Sequence, residues 1–260
     1  MTNLNFDDEM ARLQRALAQC HDMVVRRSAV LEALNLRTGE KVLELGCGGG
    51  FYAYEAGQFV GSTGHVTAID ISADQIAAAR ERCVELSWVE CQIANATDLR
   101  LASATLDAVY GVQVLEYVTD LDKALQEVQR VLRPGGRFIN LATNWSSLVW
   151  HSKNPERMRR LLGAFSAHAP FPDLPSILAA ALRRAGLQPL RQRAVPILNL
   201  SYNHNCFSRW LAKMIARDAV NRGVTADDAQ AWLAEFASLE EQGEYFFCSA
   251  PVLTEAVRIS

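Results

Sequence analysis

The 260-residue sequence lacks a strong excess of either charge, since 26 basic side chains balance 29 acidic ones to a formal net charge of −3. This balance gives no broad surface for nucleic acid or for an anionic membrane. No apolar run approaches the ~18 residues that a transmembrane helix requires. The acidic N-terminus contains no apolar signal-peptide core. We therefore expect a cytoplasmic protein without nucleic-acid or membrane partners.

The sequence also lacks any C-x-x-C pair. Its six cysteines are Cys20, Cys47, Cys83, Cys91, Cys206 and Cys248. Such scattering in a chain without a signal peptide predicts reduced thiols that pack as small hydrophobic side chains. A thiol site for a metalloid is the alternative. We expect no metal site.

Two common glycine-rich fingerprints are absent from the first glycine-rich turn. The dinucleotide fingerprint G-x-G-x-x-G would need a third glycine three residues after Gly48, where the chain has Phe51. A phosphate loop is excluded because no Gly-Lys pair follows. The turn instead reads Glu44-x-Gly46-x-Gly48-x-Gly50 after a short apolar strand. Glycines permit positive φ and close approach of a ligand, although a turn without a ligand is the alternative.

A second strand is predicted at His65–Asp70, with Asp70 at its end. This acid follows the turn by about twenty residues, where a doubly wound fold places a carboxylate on a ribose diol. A carboxylate suits that role because it accepts hydrogen bonds from both hydroxyls. Asp70 as a helix cap is the alternative. Ser72 also fits as the cap, which would leave Asp70 available.

The pattern continues with further strands and helices. Strands are predicted at Trp88–Ile93, Thr105–Val112, Arg137–Leu141, Leu187–Leu198 and Tyr245–Cys248, the last hairpinned to the one before it. A helix at Leu121–Leu132 ends at the turn Arg133-Pro134-Gly135-Gly136. Successive βα units with short turns predict right-handed crossovers and a parallel sheet.

The glycine turn, Asp70, the segment Gln113–Val118 and the Pro134-Gly135-Gly136 turn together resemble class I S-adenosylmethionine (SAM) methyltransferases over roughly residues 37–142. The resemblance implies a Rossmann-like, doubly wound α/β fold, with a seven-stranded, mostly parallel sheet and helical lid insertions. It implies SAM as cofactor and S-adenosylhomocysteine (SAH) as product. The implied reaction transfers a methyl group to an N, O or C atom of a small molecule, mainly by proximity and orientation.

The resemblance also assigns cofactor-binding residues. They are Glu44, Gly46, Cys47, Gly48, Gly50, Asp70, Ile71, Asn95, Ala96 and Gln113. Asn95 stands where relatives carry an acid; its amide oxygen can accept from the adenine amino group, or it can simply form a turn. Tyr117 stands where many relatives have His. A solvated helix face is expected for Arg26 and Arg27, since arginines are mostly exposed, and contact of one of them with the methionine carboxylate is the alternative.

The remaining chain is expected to cover the cofactor within one domain, residues 1–260. Residues 1–36 are predicted as a helical segment over the cofactor. The insertions 145–170 and 199–242 follow the fifth and sixth strands, and ligands of such sheets bind beyond the strands' carboxyl ends. We expect them to form one substrate lid. The candidates there are Trp145, Trp150, His204 and Asn205 for substrate, and His151 and Tyr202 as catalytic residues, with core packing as the alternative for each.

Two other functions stay open from the sequence. Because Asn95 and Tyr117 depart from the usual pattern, the chain could be a SAM-fold binding or regulatory protein without turnover. An RNA or protein methyltransferase is the other alternative. The near-neutral charge argues against RNA, since RNA-binding proteins usually carry a basic patch.

Overall fold

The computed structural model describes Leu13 and residues 15–259, which form two compact units. The sheet unit comprises residues 27–142, 174–194 and 252–259, and the aromatic unit comprises Leu13 and residues 15–26, 143–173 and 195–251. Residues 1–12 and 14 of the predicted N-terminal segment lie outside the described residues. The predicted single domain and lid stay predictions.

The structure contains alternating helices and strands through its first half. The strands are β1 (Lys41–Leu45), β2 (His65–Asp70), β3 (Val89–Ile93), β4 (Leu106–Val112), β5 (Leu132–Ala142), β6 (Val149–Trp150), β7 (Leu187–Ala194), β8 (Ile197–Asn199), β9 (Phe247–Ser249) and β10 (Val252–Arg258). The helices are α1 (His21–Leu34), α2 (Phe51–Val60), α3 (Ala73–Arg82), α4 (Leu121–Val131), α5 (Pro155–Phe165), α6 (Leu174–Arg184), α7 (Phe207–Asn221) and α8 (Ala226–Glu241).

The sheet unit is built on a seven-stranded sheet in the order β3-β2-β1-β4-β5-β10-β7. The strands from β1 to β5 pair in parallel, whereas β10 is antiparallel to both of its neighbours. Four of the five residues of β1 are buried, as expected for a central parallel strand with helices on both faces. The predicted doubly wound, mostly parallel seven-stranded sheet is confirmed.

The final strand of this sheet differs from the prediction. Tyr245–Cys248 was predicted to complete it, but the strand found there, β9, pairs with β6 and β8 in a separate three-stranded sheet. The strand that pairs with β5 and β7 is β10. Its polar Thr254 and Glu255 interrupt the apolar pattern, and Thr254 is nevertheless buried. The predicted pairing with the sixth strand is confirmed for its last residues, since β9 is antiparallel to β8 at Ile197 and Leu198. The prediction that this pair completes the large sheet was wrong, because both strands belong to the three-stranded sheet.

Proline and glycine modify two predicted elements. The predicted strand Leu187–Leu198 is divided near Pro196 into β7 and β8, and β7 lies at the sheet edge, where proline is tolerated. The predicted turn at residues 133–136 lies within β5. The pairing register of β5 with β4 shifts between Leu106 and Ala108. Gly135 provides the positive φ, 75°, that this irregular segment requires.

Polar side chains cap several helices, as their sequence positions suggest. Ser72 Oγ accepts a hydrogen bond from the N–H of Gln75 at the start of α3 (3.4 Å). Asp120 and Thr225 cap α4 and α8 in the same way. Each bond satisfies one N–H that the first helical turn leaves without a backbone partner.

The aromatic unit combines the small β6-β9-β8 sheet with α5, α7 and α8. Its interior is ring-rich: Trp150 lies 5.6 Å between centroids from both Trp232 and Phe236, and 4.4 Å from Phe247. The two insertions therefore pack on each other through their apolar faces. In the described part of the chain, no helix is long and apolar enough to cross a membrane.

Candidate cofactor site

The glycine turn between β1 and α2 is shaped by three glycines with positive φ. These are Gly46 (62°), Gly48 (50°) and Gly50 (76°). A Cβ on Gly46 would lie 1.8 Å from Val114 Cγ2, and one on Gly50 would lie 2.9 Å from Ala79 Cα. A Cβ on Gly48 would meet no atom within 4 Å. Packing therefore explains two of the glycines, whereas Gly48 faces open space that a ligand can fill.

Asp70 at the end of β2 is held directly against this turn. One carboxylate oxygen accepts the N–H of Gly48 and the other accepts the N–H of Ser72, each at 2.9 Å. A carboxylate oxygen has more than one acceptor position, so both oxygens retain capacity for ligand hydroxyls. Ile71 follows with 74% of its surface exposed, which leaves an apolar side chain beside the carboxylate.

Glu44, in contrast, belongs to the interior of the sheet unit. It is opposite Tyr110 in the β1–β4 pairing, and both side chains are buried. Burial raises the pKa of Glu44 well above its usual range, although the nearby Tyr110 hydroxyl and Ala53 N–H oppose the rise. Glu44 is therefore kept neutral behind the turn.

The cysteines near the turn are free thiols. Cys47 is buried, and its Sγ donates to the carbonyl oxygen of Gly48 at 3.6 Å. Burial raises the pKa of the Cys47 thiol, which suits a packing role better than nucleophilic chemistry. All six cysteines of the chain are free, and the described residues contain no acidic, histidine or cysteine cluster that could hold a metal ion.

The loop after β3 contains Asn95 and Ala96. Asn95 Oδ1 accepts hydrogen bonds from the backbone N–H and the hydroxyl of Thr97, both at 3.0 Å. This geometry favours the turn role for Asn95. Ala96 is buried, so the loop presents a small side chain on its inner side.

Gln113 follows β4 in a conformation that is rare for residues other than glycine, with φ of 56°. Its N–H donates to the carbonyl oxygen of Leu141, and its Nε2 donates to Glu116 Oε1 at 2.7 Å. Tyr117 ends the short 3-10 helix Leu115–Tyr117 that comes next. Strain of this kind persists only where the surroundings hold it, and functional sites are frequent examples.

Arg27 of α1 is buried rather than on a solvated face. Its Nε donates to Glu55 Oε1 at 2.9 Å, and its guanidinium carbon lies 5.3 Å from the centre of the Phe51 ring. Arg26 is also buried. The expectation of a solvated face is therefore wrong for both arginines.

Trp150 and Tyr202 lie inside the aromatic unit. Trp150 Nε1 donates to the hydroxyl of Tyr245 at 3.0 Å, in addition to the ring contacts described above. Tyr202 packs on Phe236 and Tyr245, and burial raises the pKa of its hydroxyl. The core-packing alternative fits Trp150 best, whereas Tyr202 is only partly buried.

Three predicted site residues of this unit are exposed. They are His151, His204 and Asn205. The backbone N–H of His151 donates to Phe246, and the carbonyl of His204 accepts from Trp210 Nε1. These bonds involve the backbones of both histidines and do not orient their imidazoles.

Trp145 belongs to a cluster that the sequence reading missed in part. Its ring meets the edges of Phe165 and His168, at centroid distances of 5.6 and 4.9 Å. His168 is fully buried, stacks on Phe165 at 3.9 Å, and bonds through Nδ1 to the Phe165 carbonyl at 2.7 Å. Burial lowers the pKa of His168 to about 4. No local motif marks this histidine.

Residues 43–140 match the family described as a methyltransferase domain. This segment contains β1, the glycine turn, Asp70 and Gln113. The comparison confirms the resemblance of this part of the chain to class I SAM methyltransferases.

Among curated proteins, the ubiquinone/menaquinone biosynthesis C-methyltransferase UbiE of Cellvibrio japonicus is 36% identical over 117 residues, which are 43% of this chain and 46% of that protein. The chain spans about half, or less, of the length of the curated relatives it matches.

Solved structures share the fold along nearly the whole chain. The cyclase SpnF has a TM-score of 0.58 at 21% identity, covering 92% of this chain and 81% of that one. Geranyl diphosphate C-methyltransferase from Streptomyces coelicolor A3(2) has a TM-score of 0.57 at 18% identity, covering 98% and 85%. At these identities the likeness establishes a Rossmann-like methyltransferase fold.

Proposed function

We propose that this chain is a SAM-dependent methyltransferase that acts on a small molecule. The main support for the proposal is one observation at the glycine turn. Gly48 faces open space, and its N–H is bound by the carboxylate of Asp70. These residues fit SAM, which combines a ribose diol with a flat adenine. When bound, SAM supplies a methyl group activated by a sulfonium sulfur.

In this proposal the sheet unit binds and orients the cofactor. Asp70 accepts hydrogen bonds from the ribose hydroxyls. Its charged carboxylate makes these bonds stronger than bonds to a neutral acceptor. Ile71 and Ala96 provide apolar contact for the adenine. Gln113, at the end of β4, lies where the resemblance places the methionine part. The buried Glu44 supports the turn from behind.

The aromatic unit is proposed to provide the substrate lid, through the insertions 145–170 and 199–242. Trp145 is the first candidate for a wall beside the methyl group, since it follows β5 almost directly. Ordering the two reactants can supply about 7–11 kcal/mol of the barrier. Because burial raises the pKa of Tyr202, its hydroxyl is better suited to donate a hydrogen bond than to remove a proton.

Calorimetry with SAM, SAH and NAD tests the cofactor assignment directly. We expect binding of both sulfur ligands and none of NAD. Binding of NAD alone would contradict the assignment. Methyl-labelled SAM should then be incubated with phenols, hydroquinones and isoprenyl diphosphates, in line with the quinone and geranyl diphosphate enzymes above, and products followed by mass spectrometry.

A SAM-fold protein without methyl turnover is the second candidate. One observation favours it: the fold neighbours include SpnF, which is described as a cyclase. Under this alternative the chain binds SAM or SAH, but no single-turnover transfer of label occurs with any acceptor. Transfer to one acceptor, with formation of one equivalent of SAH, would exclude it.

A further inference from the structure

The glycine turn is held from outside by side chains that bind its carbonyl groups. Three consecutive carbonyl oxygens, those of Gly48, Gly49 and Gly50, accept from Cys47 Sγ, Arg82 Nε and Cys83 Sγ respectively. The bond from Arg82 is the shortest, at 2.8 Å, and the two thiol contacts are 3.6 and 3.9 Å. The end of α3 therefore supplies two of the three donors.

Arg82 is itself fixed by an aromatic ring. Its guanidinium carbon lies 3.5 Å from the centre of the Phe51 ring, and Phe51 is the first residue of α2. A planar guanidinium stacked in this way is oriented before it donates its hydrogen bond. Arg82 thus links the end of α3, the start of α2 and the peptide between Gly49 and Gly50.

Such a link matters because the turn is rich in glycine. Gly46, Gly48, Gly49 and Gly50 lie within five residues, and glycine loses more conformational freedom on ordering than any other residue. If the turn is not ordered beforehand, a ligand that binds it must supply the ordering free energy, and its apparent affinity falls. Fixing a carbonyl also fixes the direction of the next N–H, since the peptide is planar.

We propose that Arg82 is a positioning residue for cofactor binding, which orders the glycine turn through Gly49 without touching the cofactor. This inference rests on the proposed SAM site. It assigns to the C-terminal end of α3 a role in affinity, although this end lies about thirty residues beyond the turn in sequence.

The chain offers a matched control in the same helix. Arg80 Nε donates to the backbone carbonyl of Cys91 in β3 at 3.0 Å, which is the same kind of bond at a similar length. Arg80→Met therefore removes an equivalent interaction from α3 without affecting the turn. Arg82→Met keeps the aliphatic stem, and Arg82→Lys keeps the charge.

The wild type and the three variants are compared by two measurements. Calorimetry gives the affinity for SAH, and hydrogen exchange follows the amides at 46–51. Thermal unfolding measures the stability of each protein. We expect SAH affinity to fall about tenfold in Arg82→Met, which is a loss of about 1.4 kcal/mol, because the bond from a charged donor that orders the turn is removed. Arg82→Lys should recover part of this loss. Arg80→Met should stay within about twofold of the wild type at a similar loss of stability.

Hydrogen exchange gives a result that needs no ligand. The amides at 46–51 should exchange faster in Arg82→Met than in Arg80→Met. Equal SAH affinity in Arg82→Met and the wild type would overturn the positioning role alone, as would an equal loss in Arg80→Met. A wild-type protein that fails to bind SAH would overturn the proposed SAM site and this inference together. If Arg82→Met fails to fold, Arg82→Lys tests the positioning role instead, by its SAH affinity and by the exchange of the amides at 46–51.

Discussion

The two units bury titratable side chains of opposite kinds. The sheet unit buries the carboxyl group of Glu44 and raises its pKa, whereas the aromatic unit buries the imidazole of His168 and lowers its pKa to about 4. In both cases burial penalises the charged form. Each unit therefore buries a group that is neutral in the folded state. His168 lowers the unfolding free energy at acidic pH, whereas Glu44 lowers it as the pH rises above 4.5.

The units also differ in what holds their functional segments. In the sheet unit, the glycine turn is fixed by hydrogen bonds with its backbone, in which Asp70 accepts from Gly48 N–H and Arg82 donates to the Gly49 carbonyl. In the aromatic unit, rings around Trp150 and around Trp145 pack through edge, tilted and stacked contacts. Polar substitutions should therefore affect ligand affinity in the first unit, and ring substitutions should affect stability in the second.

The largest effect is expected from Trp150→Ala. Removing a buried ring that also donates to Tyr245 should cost about 3–5 kcal/mol of unfolding free energy. Chemical denaturation measures this loss. The neighbouring exposed His151→Ala should change stability by less than about 0.5 kcal/mol. A stable Trp150→Ala protein with altered substrate affinity would instead make Trp150 a pocket wall.

The next effect concerns acid stability through His168. The unfolded histidine binds a proton near pH 6.5, whereas the folded one binds it only near pH 4. Unfolding free energy should therefore fall by up to about 3 kcal/mol as the pH decreases between these values. Denaturation curves of His168→Gln should lack this component, and those of the exposed His204→Gln should retain it. Identical pH profiles for His168→Gln and the wild type would contradict the neutral buried imidazole.

Asp70→Ala tests the expectation that polar substitutions in the sheet unit affect ligand affinity. Loss of a charge-assisted acceptor should weaken SAH by about 1.5–3 kcal/mol. Calorimetry at constant pH measures the change, and the exposed Asp74→Ala on the following helix serves as control. Unchanged SAH affinity in Asp70→Ala would contradict both the binding of ribose by Asp70 and the assignment of the glycine turn as the cofactor site.

Over a single pH unit, the smallest effect is expected from Glu44→Gln. Because the folded pKa of Glu44 lies above its ordinary value of 4.5, the wild type loses stability as the pH rises from there toward the folded pKa. Glutamine has no such loss, so the stability of Glu44→Gln relative to the wild type should increase by about 1.4 kcal/mol per pH unit in that range. The exposed Glu85→Gln should show no such slope. A flat difference for Glu44→Gln would show that the buried carboxyl is ionised.

The parallel part of the sheet was predictable because periodicity, glycine spacing and short connections determine a parallel order with few alternatives. Its antiparallel strand, β10, was not predicted. Ser72 could be identified as the cap, and with it Asp70 as the residue at the turn. Arg82 was not predictable, since a helix-terminal arginine far along the chain carries no local signal. Glu44 was recognised as part of the motif, although its burial became clear only from its pairing with Tyr110.

The aromatic unit was harder to predict for a physical reason. Trp150, His151 and His204 were chosen by their chemistry, but burial depends on a small sheet that is assembled from distant segments. Adjacent strand residues point to opposite faces, so Trp150 is buried and Val149, which precedes it in β6, is exposed. His151 and His204 lie outside the strands and are exposed. His168 escaped notice because no motif surrounds it.

The position of β10 has a consequence for the order of events during synthesis. This strand follows every other strand in sequence, yet it lies between β5 and β7 and pairs with both. Until residues 252–258 have left the ribosome, β7 has no strand to pair with, and the outer edge of β5 stays open. Arg258 then donates to the carbonyl oxygens of Gln129, Arg130 and Leu132 at the end of α4. The sheet is thus completed by a late long-range pairing, a step that is slow by contact order and during which the chain depends on protection from edge-to-edge association.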